Sequence, residues 1–197
     1  MPSKPGRTLC QACNRPPVVC YCRWATPISN QIELLILQHP TEAGHPKNTA
    51  GLLAACLMRT RLMIGESFGA ELEALLQSLP RPALLYPDTP TGNTIALHEK
   101  PETLIILDAT WRKSRKMLYL NPLLSRLPRV NLPAGLPGNY HIRKTQGNNL
   151  LSTFEASCYA LQQLESRPDH YRPALTAFTA YIQHLAGFTP KHHHAAR

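Results

Sequence analysis

The sequence has no apolar run approaching the ~18–20 residues of a membrane-spanning helix. Its longest candidates, residues 32–37 and 104–107, are strand-sized. Residues 1–7 hold no apolar stretch, so a secretory signal is not expected. A cytoplasmic chain with no membrane partner is the expectation. No internal repeat is present. Neither G-x-G-x-x-G nor G-x-x-x-x-G-K-[ST] occurs, which removes support for dinucleotide and P-loop readings. A G-x-S-x-G nucleophile elbow is missing as well. Acidic residues are scarce: 12 Asp and Glu against 21 Lys and Arg give a formal charge of +9. That excess favours polyanionic partners, nucleic acid first, over a charge that serves solubility alone.

What is present is enough for a packed domain. The 197 residues are 43% hydrophobic and 17% charged, unlike a disordered chain. The length suits one α/β domain with a small appendage. Nineteen prolines are roughly twice the usual share of ~5%, which predicts many loops and sharp element ends.

Four of the six cysteines, Cys10, Cys13, Cys20 and Cys22, crowd together as C-x2-C-x6-C-x-C, with Pro16-Pro17 in the intervening turn. Such clustering in a cytosolic chain points to a metal more than to disulfides. Structural Zn2+ with four thiolate ligands and no open position is the main reading; a redox dithiol and an iron–sulfur cluster are the others. Four thiolates and one zinc add −2, lowering the charge from +9 to about +7. Cys56 and Cys158 stand alone in apolar surroundings, as small hydrophobes do. Arg23-Trp24 follows the last cysteine of the cluster. It either grips RNA, phosphate to Arg23 and base to Trp24, or Trp24 packs the knuckle onto the main domain. Residues 1–28 are therefore read as a knuckle, 29–190 as the main domain and 191–197 as a basic, solvated tail.

Beyond the knuckle, residues 32–38 read as a buried strand ended by His39-Pro40. A helix is predicted over 49–61, although Gly51 weakens its first turn, and another over 70–79. Short strands are predicted at 83–86 and 103–107, a basic helix at 111–120, and an edge strand at 129–132. Helices at 153–166 and 174–186 follow. Apolar strands alternating with helices argue for an α/β domain with a mostly parallel sheet. In such sheets ligands collect beyond the carboxyl ends of the strands. Those ends are His39-Pro40-Thr41-Glu42, Tyr86-Pro87-Asp88 and Asp108-Ala109-Thr110-Trp111.

Asp108-x-Thr110-Trp111 at the end of an apolar strand resembles the signature of the DTW-domain family. The cysteine knuckle, His39-Pro40-x-Glu42 with Asn48-Thr49, and Leu85-Tyr86-Pro87 agree with it. So do Tyr140-His141-Ile142-Arg143-Lys144 and Leu151-Ser152-Thr153-Phe154-Glu155-Ala156. The resemblance spans roughly residues 10–160, in order. It implies a tRNA-uridine aminocarboxypropyltransferase that uses S-adenosylmethionine as co-substrate and tRNA as partner. It also implies a SPOUT-like fold knotted around the cofactor site, although true knots are rare. No obligatory protein partner is expected. A SAM-dependent RNA methyltransferase and a non-catalytic zinc-knuckle RNA-binding module are the alternative readings.

On that resemblance, Asp108, Thr110 and Trp111 are the expected catalytic group. His39, Tyr86, Pro87, Leu107, Asp108, Ser152, Thr153 and Glu155 are the expected cofactor contacts. Arg23, Arg112, Lys113, Arg115, Lys116, Arg143 and Lys144 are expected to bind RNA. Each has a plainer reading. Ser152 and Glu155 have the spacing of a capping box, Asn48 of a cap for the helix at Thr49, and Asp108 of a cap for the helix after it. Four positive charges in residues 112–116 are also what a solvated helix face looks like.

Overall fold

The structure is a computed structural model, and it describes residues 8–45, 48–87, 99–133, 135–138 and 151–187. Residues 33–38 carry four consecutive fully buried aliphatics, Leu34 to Leu37. A segment apolar on both faces suits only the middle of a covered parallel sheet, and Glu33–Gln38 forms that strand, β1. Burying each such side chain contributes about 1.5–3 kcal/mol. The chain then makes a short helix α1 (Pro40–Ala43), helix α2 (Ala50–Cys56), strand β2 (Thr60–Ile64), helix α3 (Gly69–Ser78) and strand β3 (Pro82–Leu85). Next come β4 (Thr103–Asp108), α4 (Trp111–Leu120), α5 (Pro122–Ser125) and β5 (Arg129–Val130). Helices α6 (Thr153–Leu164) and α7 (Arg172–Gly187) complete it.

The strands are all parallel and lie in the order β2-β1-β4-β3-β5. Leu34, Ile36, Leu104 and Ile106 face α2, α6 and α7, while Leu35, Leu37, Ile105 and Leu107 face α3, α4 and α5. This is a three-layer, doubly wound domain. Between β1 and β4 the winding reverses: α2 leaves β1 on one face towards β2, and α4 leaves β4 on the other towards β5. Gln38 and Asp108, the last residues of these two strands, are paired there.

One predicted element changes. The helix expected over 49–61 stops at Cys56, and Thr60–Ile64 is strand β2. The sequence at 60–64 has no strong strand signature, but β1 offers it a partner, and Arg61 clamps Glu33 across the pair. Tertiary pairing overrides local preference. Pro40 does end β1 as predicted, yet it also starts α1, with His39 as N-cap accepting from the Thr41 N–H. The knot that the resemblance implies is not traced among the described residues; residue 134 and residues 139–150, between β5 and α6, lie outside them.

The cysteine segment is clamped to the α2/α7 side of the domain. A Cβ on Gly51 would lie 2.8 Å from Oη of Tyr21, so only glycine admits this ring. That is the reason for the glycine in the first turn of α2. Tyr181 Oη on α7 donates to the Val19 carbonyl at 3.0 Å. His184 donates from Nε2 to Val18 O (3.1 Å) and accepts Arg23 at Nδ1 (3.0 Å).

Candidate functional site

Two groups of side chains are concentrated enough to carry chemistry. The first is the cysteine set. Cys10, Cys13, Cys20 and Cys22 place their sulfurs within 4.8 Å of one another, with Cys10–Cys22 and Cys13–Cys20 at 3.7 Å. A disulfide needs about 2.05 Å, so these are free thiols. Ligands at ~2.3 Å from a tetrahedral zinc are about 3.8 Å apart, which is the spacing seen. Backbone N–H groups of Cys13 and Ala12 pull the Cys10 thiol down to about 6. Partial burial and the other three sulfurs push Cys22 up to about 12. Four sulfurs this close ionise together only around a cation, so the donor set fits a metal such as zinc.

The second group lies at the carboxyl ends of the strands, where the winding reverses. Asp108 Oδ2 accepts from Gln38 Nε2 (2.8 Å) and Asn48 Nδ2 (2.6 Å). Gln38 also donates to Asn48 Oδ1 (3.0 Å), which accepts the Ala50 N–H at the start of α2 (3.0 Å). All three side chains are buried, Asp108 at 7% exposure. Asp108 is not the cap of α4: that position belongs to Thr110, whose side chain makes no capping bond. The carboxylate turns across the sheet instead and locks β4 to β1 and α2. The N-cap of α2 is Thr49, without a side-chain capping bond, and Asn48 precedes it; Ser152 and Glu155 do form the capping box of α6. Glu155 is 1% exposed, and its Oε2 accepts from both the N–H and Oγ of Ser152.

Beside this cluster, His39 Nδ1 accepts the Thr41 N–H, which leaves the ring proton on Nε2 to donate to Glu66 Oε1 at 3.1 Å. Lys116 sits 2.9 Å from the other oxygen of Glu66. Together Lys116 and then His39 hold the Glu66 carboxyl below the usual carboxylate range. Lys113 reaches from α4 to Thr41 and to Glu42 (3.5 Å).

On the other side of Asp108 opens a cavity of about 530 Å³. It is lined by Tyr86 and Pro87 after β3, Leu107 and Ala109 around the end of β4, residues 130–132, and Leu151, Thr153 and Ala156 at the start of α6. Trp111 stands at its edge, T-shaped to Tyr86 at 5.8 Å. Ser114 Oγ donates to the Trp111 carbonyl and receives the Tyr86 hydroxyl at 3.1 Å, which fixes the tyrosine. The buried Arg129 guanidinium lies 5.3 Å from the Tyr86 ring. The first-turn N–H groups of α6 supply partial positive charge on this side.

Of the expected cofactor contacts, Tyr86, Pro87, Leu107 and Thr153 line this cavity and His39, Asp108, Ser152 and Glu155 do not; of the expected catalytic group, Trp111 lines it and Asp108 and Thr110 do not. Of the expected RNA contacts, Arg112, Lys113, Arg115 and Lys116 lie on α4. Arg112 and Arg115 are exposed and make no ion pair among the described residues. Arg23 is on the knuckle, stacked 4.6 Å over Trp24, which itself packs against the core. Arg143 and Lys144 lie outside the described residues. Sequence reasoning missed Gln38, Glu66 and Ser114. Gln38 carried a signal, a polar side chain closing an otherwise apolar strand; Glu66 and Ser114 carried none.

A doubly wound α/β domain with a cavity at the carboxyl strand ends and a separate four-cysteine knuckle is the class that fold and site define. Within it, the chain belongs to the DTW-domain family: the DTW domain matches residues 7–186. It is 33% identical over 178 residues to "tRNA-uridine aminocarboxypropyltransferase 2" of Macaca fascicularis, covering 84% of this chain and 60% of that protein. The protein of the same name in Drosophila melanogaster is 35% identical over 180 residues, covering 83% and 69%. "tRNA-uridine aminocarboxypropyltransferase A" of Arabidopsis thaliana is 28% identical over 141 residues, covering 61% and 53%. The chain spans about 60% of the length of the first of these relatives. No solved structure matches it.

Proposed function

We propose that this protein transfers the 3-amino-3-carboxypropyl group of S-adenosylmethionine to N3 of a uridine in tRNA, giving acp3U and methylthioadenosine. The observation that carries the reading is the match to the DTW domain over residues 7–186, with relatives named tRNA-uridine aminocarboxypropyltransferase aligned over more than four fifths of this chain. The site supports it. The cavity offers apolar and aromatic walls for an adenosyl group, and the N-terminus of α6 beside Thr153 suits a carboxylate. S-adenosylmethionine supplies an electrophilic γ-carbon activated by its sulfonium.

The remaining work falls to side chains. Uridine N3 carries a proton and is a weak nucleophile until that proton leaves. Asp108 has one oxygen held by Gln38 and Asn48; its other oxygen has no hydrogen-bond partner among the described residues. We assign that oxygen as the proton acceptor, with Thr110 and Trp111 shaping the mouth of the site. Ser152, Thr153 and Glu155 hold the end of α6 against the cofactor, and His39 keeps the β1 end of the site in place. Tyr86, Pro87 and Leu107 form the cofactor wall. Arg23, Arg112, Lys113, Arg115, Lys116, Arg143 and Lys144 bind the phosphates of the RNA. Residues 1–28 form a zinc knuckle with a structural role, 29–190 a SPOUT-like catalytic domain with its knot, and 191–197 a basic tail. The protein works in the cytoplasm. Among the described residues no helix is long and apolar enough to cross a membrane.

Incubation with S-adenosylmethionine and unmodified tRNA tests the reading, followed by mass analysis of the nucleosides and of the spent cofactor. Uridine gaining the aminocarboxypropyl mass, with methylthioadenosine released, is the expected result. Release of S-adenosylhomocysteine would make the protein a methyltransferase, and failure to bind S-adenosylmethionine would leave an RNA-binding module.

A further inference from the structure

Helix α4 buries Ser114 and Met117, packs Leu118 partly against the core and turns Trp111, Arg112, Arg115, Lys116 and Tyr119 outward. Trp111, Arg115 and Tyr119, spaced i, i+4 and i+8, form one stripe on that outer surface. Trp111 is 53% exposed and Tyr119 83%, the highest value among the large hydrophobic side chains described. At 1.5 Å per residue the two rings stand about 12 Å apart along the axis, with Arg115 midway. Arg112 and Lys116 flank the stripe, and α4 contains no acidic residue. The two carboxylates that approach it, Glu42 and Glu66, take Lys113 and Lys116 and leave Arg112 and Arg115 to solvent. One end of the stripe opens into the cavity, because Trp111 lines it.

Aromatic rings this exposed do nothing for the core. Two π faces with a guanidinium between them, on a helix of one charge sign, match a strand whose phosphates are anionic and whose bases are free to stack. A duplex does not suit the stripe, since its bases already stack on one another and offer only edges and phosphates. We propose that Trp111, Arg115 and Tyr119 form a stacking platform for the unpaired nucleotides that adjoin the modified base. The platform leads those nucleotides away from the cavity along α4. The identity of the RNA as tRNA rests on the transfer reading above, whereas the preference for unpaired nucleotides rests on the stripe.

Binding is measured by fluorescence anisotropy at several salt concentrations, with three probes: an unmodified tRNA transcript, a uridine-rich single-stranded RNA and a blunt RNA duplex. Tyr119→Ala is expected to weaken the single strand about tenfold, the loss of roughly one stacked base. Its salt slope stays unchanged, and duplex affinity does not move. Tyr119→Phe keeps the ring and behaves as wild type. Arg115→Gln lowers the salt slope by about one, as loss of one phosphate contact does. A side chain as exposed as Tyr119 should leave Tm unaltered in both variants. Unchanged single-strand binding by Tyr119→Ala, or an equal loss on the duplex, overturns the platform. A wild-type protein that binds the single strand through Tyr119 but releases no methylthioadenosine overturns the transfer reading and leaves the platform standing.

Discussion

Among the described residues the cysteine cluster and the Asp108 cluster are both dense polar groupings, and they differ in how far their own groups satisfy them. Around Asp108 each amide hydrogen that points inward meets an oxygen, and the result ties β1, β4 and α2 together. Around Cys10 four sulfurs converge; backbone N–H groups lower the Cys10 thiol, while Cys20 and Cys22 stay raised. The satisfied oxygen of Asp108 ties the scaffold while its second oxygen is left open, and the cysteine set has the donors that a metal site needs. The difference points to separate routes to stability: buried hydrogen bonds for the strand ends and, on the zinc reading proposed above, metal affinity for the knuckle.

Removing the metal should have the largest effect. Structural zinc in small knuckles carries about 10–16 kcal/mol of apparent binding energy at neutral pH, and that energy is folding energy. Cys10→Ser or Cys20→Ser is expected to abolish stoichiometric zinc and release residues 8–24 from α2 and α7. Trp24 fluorescence and metal analysis of protein purified without a tag column read this out. Substoichiometric zinc in the wild type would show the cysteine cluster to be complete without a cation, and the contrast would collapse.

The Asp108 cluster breaks differently according to the substitution. Asp108→Ala leaves Gln38 and Asn48 with buried donors unmet, at about 1–3 kcal/mol each, so Tm and turnover should both fall. Asp108→Asn can keep an oxygen in the position of Oδ2 while losing the charge. Its Tm is expected to stay within a few degrees of wild type while turnover drops about 10²- to 10⁴-fold, the range of a lost general base. Retained binding of S-adenosylmethionine accompanies that loss if Asp108 is the base, and lost binding assigns it to the cofactor's ammonium group. Near-normal turnover would reduce Asp108 to scaffold alone.

How legible these regions were in the sequence follows from how local their causes are. The convergence of the four cysteines could be read from spacing, because each pair is close in the chain and Pro16-Pro17 lie in the turn between the pairs. The buried strands β1 and β4 were readable because nothing but a covered sheet takes Leu34 to Leu37 or Leu104 to Leu107. The strand β2 was not, since Thr60–Ile64 becomes a strand only through its pairing with β1. Glu66 was invisible for the same reason: its partners His39 and Lys116 are 27 and 50 residues away. Asp108 was visible as a polar residue at a strand end, but its partners were not, and so the capping role considered for it gave way to a link across the sheet.

The cavity beside Asp108 contrasts with both clusters because its walls are mostly apolar, with Ser114 and Tyr86 already paired to each other. Filling it should therefore cost affinity without costing stability. Ala156 on α6 lines it, so Ala156→Leu is expected to weaken S-adenosylmethionine at least tenfold in calorimetry while Tm stays close to wild type. A large fall in Tm would show that the side chain meets packed core there, and unchanged affinity would place the adenosyl group elsewhere.

The smallest effect is expected at the rim of the Asp108 cluster, where Glu66 ties His39 to Lys116. Lys116 first and His39 second hold its carboxyl below the ordinary range near ~4.3. A carboxyl depressed in the folded state stabilises the protein at pH values above its unfolded pKa. That stabilisation declines as the pH falls through the unfolded and then the folded value. Glu66→Gln should thus lower Tm slightly and by a constant amount above pH ~5, with the difference closing in stronger acid. The effect is small because Glu66 is partly exposed and exposed pairs are screened. A Tm loss as large as that of Asp108→Ala would extend the complete, buried network out to Glu66. A difference that persists unchanged into acid would show that the carboxylate's charge plays no part in it.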